Sequence, residues 1–284
     1  MVAARTRRIL VRAESKAPLR AVEFRHLRRP TAGDAGRIAV QLVASFPEYK
    51  LAEYFAVRGD MFRDCDHVTV AVADDRQRTV GIIAARWREV RKAPFLHLEM
   101  NLVAHEWQRT PLFFRMWKLM LQELSLDDEY AFPEIVAIKT YNPMVYDIIE
   151  RVTTWAGGRF YPQIDGAQET EMRVRASDVA SVLCPGLFFE PDLGVIRGAG
   201  IPRDFYPSLP QTGRPRVQAY FEQTVRAGDR LLCVMQLQRA VAVPSLSRHF
   251  RIRSDDSERQ SVDPRPPGTA VLAAHACWTR RRSC

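Results

Sequence analysis

The chain has 284 residues, 46% of them hydrophobic, and a formal net charge of +9 at neutral pH. This length and composition suffice for one large hydrophobic core or two modest ones, which indicates a globular protein. No run reaches the roughly eighteen consecutive apolar residues of a membrane helix, and the basic N-terminal stretch has too short an apolar segment for a secretory signal. We therefore expect a cytoplasmic location and no membrane partner.

The positive charge permits an anionic partner, either a phosphorylated cofactor or nucleic acid. Part of this charge lies in arginines near the two ends, at positions 5–12 and 280–282. A GC-rich genome explains the excess of arginine over lysine better than nucleic-acid binding does. The five cysteines are scattered without a C-x-x-C pair, so we expect reduced thiols and no metal site.

In chain order, the first predicted elements are local and regular. Alternating apolar residues predict a strand from Val22, and Thr31 with Asp34 forms a capping-box pattern that opens a helix. A second helix is predicted over residues 48–57, and a hairpin over residues 67–87. Gly81 in the returning strand indicates a bulge or a close backbone approach.

The next stretch combines a central strand, a loop and an amphipathic helix. An apolar run from Phe95 to Val103 predicts a buried strand that Glu99 and Asn101 interrupt. Thr110 is the expected N-cap of the helix and Pro111 its first residue. The N-terminus of such a helix favours anions, because its N–H groups are unpaired and its dipole is positive there.

The segment VAHEWQRTPLF, from Val103 to Phe113, resembles the acyl-CoA-binding segment of GCN5-related N-acetyltransferases. In that family the segment ends the fourth strand and opens the third helix. Three residues fall in register with the family pattern: Glu106, Trp107 and Gln108. Pro111 and Phe113 replace the two glycines of the pattern, which removes one N–H donor and predicts a ring near the phosphate path.

A second segment extends the resemblance. A short strand over residues 135–138 precedes Asn142 and Pro143, the expected start of another helix, and Phe160 follows it as in the family. Ile149 takes the place of the tyrosine that often protonates the leaving thiolate, and Tyr146 lies three residues earlier. The sequences GRFYPQ and ETEMRVRA are predicted as the strands that complete the sheet.

The expected fold class is therefore α/β (α+β), with a mixed central sheet flanked by helices and a C-terminal α/β extension. Within that extension, we predict loops over residues 177–215, a helix over 216–225 and a strand over 230–237, which could extend the sheet or form a separate small lobe. We divide the chain into four parts: a basic N-terminal arm (1–20), an acyltransferase-like domain (21–176), the extension (177–253) and a disordered tail (254–284).

The resemblance implies transfer of an acyl group from acetyl-CoA or another acyl-CoA to an amine of a small molecule or protein. We expect the main chain of Leu102 and Val103 to hold the carbonyl, Gln108 and Arg109 to contact the pyrophosphate, and Asn142 to contact the pantetheine arm. Tyr146 is the candidate acid. However, a role as the N-cap of the following helix is enough to explain an asparagine at position 142, and we favour that role.

Glu99 is the candidate base, because desolvation in an apolar strand would raise its pKa toward a useful value. The alternative is an ionised carboxylate held by Arg86 or Arg88 of the neighbouring hairpin. His97 and His105 are further candidates for the base. Two other functions stay open: a catalytically silent protein that uses this fold for binding, and an acyltransferase whose donor is an acyl carrier protein.

Overall fold

The computed structural model describes residues 6–11, 22–73, 78–108, 110–126, 132–200, 205–206 and 208–249; of residues 6–11, 247 and 249 only the main chain is described. The predicted tail, residues 254–284, lies outside this range. The strands in the described part are β1 Thr6–Val11, β2 Val22–Arg28, β3 His67–Ala73, β4 Arg78–Val90, β5 Ala93–Val103, β6 Ile135–Thr140, β7 Arg159–Tyr161, β8 Phe189–Glu190, β9 Val195–Ile196 and β10 Arg230–Gln236. The helices there are α1 Ala32–Ser45, α2 Leu51–Arg58, α3 Leu112–Ser125, α4 Pro143–Trp155, α5 Thr170–Leu183, α6 Pro215–Thr224 and α7 Arg239–His249.

The described strands form one mixed sheet in the order β1-β2-β3-β4-β5-β6-β10-β9-β8, with β7 also paired to β10. Strands β5 and β6 pair in parallel, whereas the other described pairs are antiparallel. This confirms the predicted mixed α/β fold. The order β2-α1-α2-β3-β4-β5-α3-β6-α4 is also the one that the resemblance implies.

The core lies on both faces of the sheet. All seven residues of β3 are buried, which requires cover on each side of this strand. Helix α3 packs against β2, β3 and β4, helix α1 packs against β4, and helix α4 packs against β6 and β10. Helix α5 contributes to a second cluster of buried residues, formed with parts of β6 and β10. The centre of the sheet is therefore buried on both faces.

Two sequence signals have a direct structural counterpart. Thr31 caps α1 with the reciprocal capping box, since its side chain accepts from the N–H of Asp34 and its own N–H donates to that carboxylate. Gly81 lies against α3, where a Cβ atom would approach the side chain of Met116 to 2.8 Å. The predicted close approach at Gly81 is confirmed.

Three predictions need correction or completion. The segment ETEMRVRA is not a strand but the start of α5, whose buried residues recur at helical spacing: Met172, Ala176, Val179 and Ala180. Within the arm predicted over residues 1–20, Thr6–Val11 forms strand β1 and pairs with β2. The extension adds β10 to the sheet beside β6, so residues 230–236 continue the same sheet.

Three further features concern the described part of the chain. There, no helix combines the length and apolar character needed to cross a membrane. The same residues hold no group of three or more histidine, cysteine, aspartate or glutamate side chains placed to bind a metal ion. Cys65, Cys184 and Cys233 are buried free thiols.

Candidate functional site

The site begins at a β-bulge in β5. Ala85 of β4 pairs with Leu98, and Ala84 pairs with Met100, so Glu99 is the extra residue without a partner in the ladder. A bulge of this kind bends the strand and increases its local twist. Glu99 therefore marks the position where β5 changes direction.

At this bulge the sheet opens between β5 and β6. Parallel pairing joins residues 96–98 of β5 to residues 136–138 of β6 and goes no further within the described ladder. The next residues of β6, Lys139 and Thr140, pair with β10 on the other side. The edge of β5 from Glu99 to Val103 thus has no strand partner among the described residues. We call this opening the β5–β6 split.

The main-chain groups that face the split follow from the strand geometry. The N–H of Ala104 donates to the carbonyl of Val80 in β4 at 2.9 Å. Since main-chain groups along a strand alternate between its two edges, those of Val103 and Asn101 face the split, whereas those of Leu102 face β4. The side-chain amide of Gln108 donates to the Val103 carbonyl at 3.3 Å, which agrees with this direction. Val103, not Leu102, has the N–H available in the split.

A cleft follows the split and encloses about 540 Å³ of space, part of it open to solvent. One wall consists of residues 98–102 of β5, and the facing wall consists of residues 138–141 with Val145. Aromatic side chains and one arginine close the remaining sides; they are Tyr54, Phe205, Tyr206 and Arg230. Asn101 lines this cleft, and its Nδ2 atom is buried without a hydrogen-bond partner among the described residues.

Glu99 lies at the centre of an ionic cluster beside the cleft. Its carboxylate accepts from Arg58 at 2.7 Å and from Arg88 at 3.0 Å, and Nδ1 of His97 lies 3.1 Å away. Burial by itself would raise the pKa of this carboxyl, which is only 4% exposed. The neighbouring imidazole and the two guanidinium groups outweigh burial and hold the pKa of Glu99 well below its ordinary value.

The expectation of a raised pKa at Glu99 is therefore wrong, because the residue is paired with cations that the strand pattern does not reveal. The alternative of an ionised carboxylate held by Arg88 is confirmed. His97 is also unsuited to act as a base in the cleft, since it is buried, it is not among the residues that line the cleft, and burial lowers its pKa.

Tyr146 lies away from the cleft, so its predicted acid role does not fit its position. Its ring is buried in the core between Phe160 and Phe221. Its hydroxyl donates to the carbonyl of Pro162 at 2.9 Å. Helical periodicity places Tyr146 on the inner face of α4, where it packs against β7 and α6, and not on the side of the split.

The start of α3 adjoins the end of the split. Helix α3 begins at Leu112, one residue later than predicted, with Pro111 at the cap and the Thr110 hydroxyl accepting from the N–H of Leu112 at 3.3 Å. Phe113 is buried and packs against Trp117, so its ring points into the core. The expected ring near the phosphate path is therefore absent at this position.

Two further predicted cofactor contacts have different outcomes. The main-chain N–H of Gln108 is used within a 3-10 turn, where it donates to Ala104 and His105, and its side chain holds Val103. Arg109 lies outside the described residues. One turn into α3, Nη1 of Arg115 is buried without a partner among the described residues. The sequence pattern gave no indication of this unpaired arginine.

Asn142 is confirmed as the cap of α4, since its Oδ1 accepts from the N–H of Met144 at 2.9 Å. A role for Asn142 toward pantetheine stays a prediction. Phe205, Tyr206 and Arg230 were missed as site residues, because they lie more than a hundred residues after the end of β5 in the sequence. The aromatic residues in the loop sequence FYP were a signal of order, but not of the place where this loop packs.

No protein-family model matches the chain. No curated protein matches it either. The chain is similar to solved structures of GNAT-family N-acetyltransferases. One is YhbS from Escherichia coli in complex with CoA, at 17% identity, covering 48% of this chain and 71% of that chain with a TM-score of 0.34.

A second similar structure is Arabidopsis thaliana Naa50 in complex with the bisubstrate analogue CoA-Ac-MVNAL. The match has 12% identity and a TM-score of 0.34, and it covers 75% of this chain and 97% of that chain. A third is an aminoglycoside acetyltransferase from an uncultured soil metagenomic sample in complex with sisomicin. The match has 15% identity and a TM-score of 0.35, and it covers 52% of this chain and 95% of that chain. These identities and TM-scores assign no activity to this chain.

Proposed function

We propose that this protein is a CoA-dependent N-acyltransferase that binds its acyl donor along the β5–β6 split. The observation that carries the proposal is the open edge of β5 after the bulge at Glu99. An extended molecule with its own amide groups can add to such an edge as an extra strand does, through main-chain hydrogen bonds. The pantetheine arm of coenzyme A has this chemistry.

Acyl-CoA supplies a thioester whose carbonyl an amine attacks. The N–H of Val103 faces the split and is placed to donate to that carbonyl oxygen as negative charge develops there. The side-chain amide of Asn101, two residues earlier in β5, is buried without a hydrogen-bond partner among the described residues and is suited to an amide of the pantetheine arm. In this proposal the main-chain role predicted for Leu102 and Val103 falls to Val103, and the Asn101 side chain lies beside it.

The start of α3 is suited to the pyrophosphate. The first turn of a helix leaves N–H groups free and has a positive dipole end. Arg115 adds a guanidinium one turn further on, and burial, together with the charge of Arg115, lowers the pKa of Lys118. The guanidinium of Arg115, whose Nη1 has no hydrogen-bond partner among the described residues, can replace the function of the two missing glycines, which is to bring donors close to phosphate.

The described cleft offers no base with a suitable pKa. Glu99 is the one carboxyl among the lining residues, and it is ionised and held by arginines. We therefore propose that water removes the proton from the attacking amine, so that the neutral amine is the reacting form. Transfer should then depend on pH through the pKa of the acceptor amine.

Hydroxyl groups are available for the leaving thiolate. Tyr54, Tyr141 and Tyr206 line the cleft, and burial raises the pKa of Tyr54 and Tyr206, so both stay protonated at neutral pH. Any of the three can donate a proton or a hydrogen bond to a thiolate in the cleft. They replace Tyr146, which is not at the site.

The proposal is tested by release of free CoA thiol from acetyl-CoA in the presence of primary amines with graded pKa values. We expect thiol release whose rate rises with pH up to the pKa of each amine. A plateau at one pH for every acceptor would instead indicate a base on the protein. If acetyl-CoA binds but no amine in the panel promotes release, the protein is a silent binding module of this fold.

The alternative donor, an acyl carrier protein, is distinguished in the same assay. An acylated carrier protein presents the same pantetheine arm without the adenosine diphosphate part. Turnover with the acylated carrier protein but not with acetyl-CoA would identify that donor. The Phe113 ring does not argue for it, because that ring is in the core.

A further inference from the structure

Arg230, the first residue of β10, places a cation in the wall of the cleft. Its Nη1 atom donates to the main-chain carbonyls of Asp229 at 2.6 Å and Ala227 at 3.1 Å. Its Nε and Nη2 atoms carry the other three N–H groups of the guanidinium. These two atoms have no hydrogen-bond partner among the described residues, so one side of the guanidinium is free for a ligand.

The nearby described carboxylates are engaged elsewhere. The carboxylate of Asp229 accepts from Arg197 at 2.7 Å and from the N–H of Gly198 at 3.0 Å. Glu99 is held by its own two arginines, as described above. Burial lowers the pKa of Arg230, which is the opposite of what a close carboxylate partner would do. The charge of Arg230 is therefore not compensated within the described part of the site.

Aromatic rings surround this cation. Its guanidinium carbon lies 5.9 Å from the ring centroid of Tyr141. Phe205 makes edge contacts with Tyr54 and Tyr206, with centroid distances of 5.4 Å and 5.0 Å. A guanidinium stays charged even when partly desolvated, and a charge in such apolar surroundings is costly unless an anion joins it. The cleft thus combines a cation that needs an anion with walls that suit an apolar group.

The position of Arg230 separates it from the proposed donor site. The donor follows the open edge of β5 toward α3, whereas Arg230 stands on β10, which pairs with the far edge of β6. We propose that Arg230 binds a carboxylate of the acceptor, so that the acceptors are amino acids or similar amines with an apolar or aromatic body. This inference rests on the proposed N-acyltransferase function.

The first test measures binding and needs no turnover. The probes are 3-phenylpropionate and its uncharged match, 3-phenylpropionamide, titrated by calorimetry into the full chain. An ionic hydrogen-bonded contact predicts at least about tenfold tighter binding of the carboxylate. The variant Arg230→Gln should lose this preference, whereas Arg216→Gln should keep it, because Arg216 is 81% exposed on α6.

Two outcomes overturn the carboxylate site: equal binding of the two probes by the unchanged protein, or a preference that survives in Arg230→Gln. The comparison of the two probes on the unchanged protein stands even if that variant fails to fold. Arg230→Lys, which keeps the charge, should retain part of the preference. Circular dichroism establishes that each variant is folded.

The second test compares L-phenylalanine with L-phenylalaninamide as acceptors of the acetyl group from acetyl-CoA, with both acceptors expressed as the concentration of neutral amine because the amide is the weaker base. We expect a KM for the carboxylate acceptor that is at least about tenfold lower, and this difference should vanish in Arg230→Gln. Turnover that favours the amide would overturn the inference and leave the acyltransferase function intact. Failure to bind or consume acetyl-CoA, with the carboxylate probe still bound, would overturn the function and with it the acceptor assignment.

Discussion

Replacing Glu99 with glutamine tests whether this carboxylate is a structural anion. The side chain of Glu99 is 4% exposed, and those of its partners Arg58 and Arg88 are 34% and 31% exposed. Removing one member of a fully buried ion pair costs about 3–5 kcal/mol, and an exposed pair contributes about 0–1 kcal/mol. Because the arginines are partly solvated, we expect Glu99→Gln to lower the free energy of unfolding by about 2–4 kcal/mol at pH 7.

The pH dependence gives this prediction its sign. The pKa of Glu99 is depressed in the folded protein. The contribution of Glu99 to folding stability is therefore complete above the unfolded pKa of about 4.3, and it is lost as the pH falls toward the folded pKa. The stability difference between wild type and Glu99→Gln should therefore shrink by about 1.4 kcal/mol for each pH unit below about 4.

Urea denaturation at several pH values measures both effects. The matched control is Glu53→Gln, which removes a carboxylate that is 61% exposed and lies 3.9 Å from Lys50; its cost should stay below about 0.5 kcal/mol. A stability difference that widens as the pH falls would show that the pKa of Glu99 is raised. That result would restore Glu99 as the candidate base and refute the structural interpretation.

Further variants separate core residues from site residues. Tyr146→Phe should lower the free energy of unfolding by about 1–3 kcal/mol in urea denaturation, because the buried carbonyl of Pro162 loses its hydrogen-bond donor. Turnover should stay unchanged, and a large loss of turnover would return Tyr146 to the mechanism. Gly81→Ala should destabilise the protein by about 1 kcal/mol or more in thermal melts, since the new Cβ would lie 2.8 Å from a methionine of α3. At Gly36 in α1 a Cβ would meet no atom within 4 Å, so Gly36→Ala should stabilise the protein by about 0.5–1 kcal/mol. Equal effects of the two alanines would contradict the close packing at β4. Asn142→Ala should lower the free energy of unfolding by about 0.5–2 kcal/mol through loss of the α4 cap. Weaker binding of acetyl-CoA by this variant while it remains folded would support the predicted contact with pantetheine.

Local sequence patterns predicted most of the fold, because each depends on residues close in the chain. The cap at Thr31, the strand of β2 and the cap at Asn142 are set within a few residues. The segment ETEMRVRA failed because its residues suit both states, and contacts with β10 and β7 select the helix. Alternation of apolar residues alone does not separate these two outcomes.

The candidate site was only partly predictable for the same reason. The strand pattern indicated that Glu99 interrupts β5, but its partner Arg58 comes from α2, 41 residues earlier. Arg230 reaches the cleft because β10 pairs with β6, and no short-range pattern encodes that pairing. The main-chain donor proposed at Val103 was predictable only to within one residue, since the bulge decides which main-chain groups face the split.

The most direct measurement is calorimetric binding of acetyl-CoA to the full chain and to two tryptophan variants. Asn101→Trp places a large ring in the split, whereas Val40→Trp is the control on the outer face of α1, where the side chain is 70% exposed. If the donor lies along β5, the unchanged protein and Val40→Trp should bind in the micromolar range, and Asn101→Trp should bind at least about tenfold more weakly. Undiminished binding by a folded Asn101→Trp would contradict a donor site in the β5–β6 split.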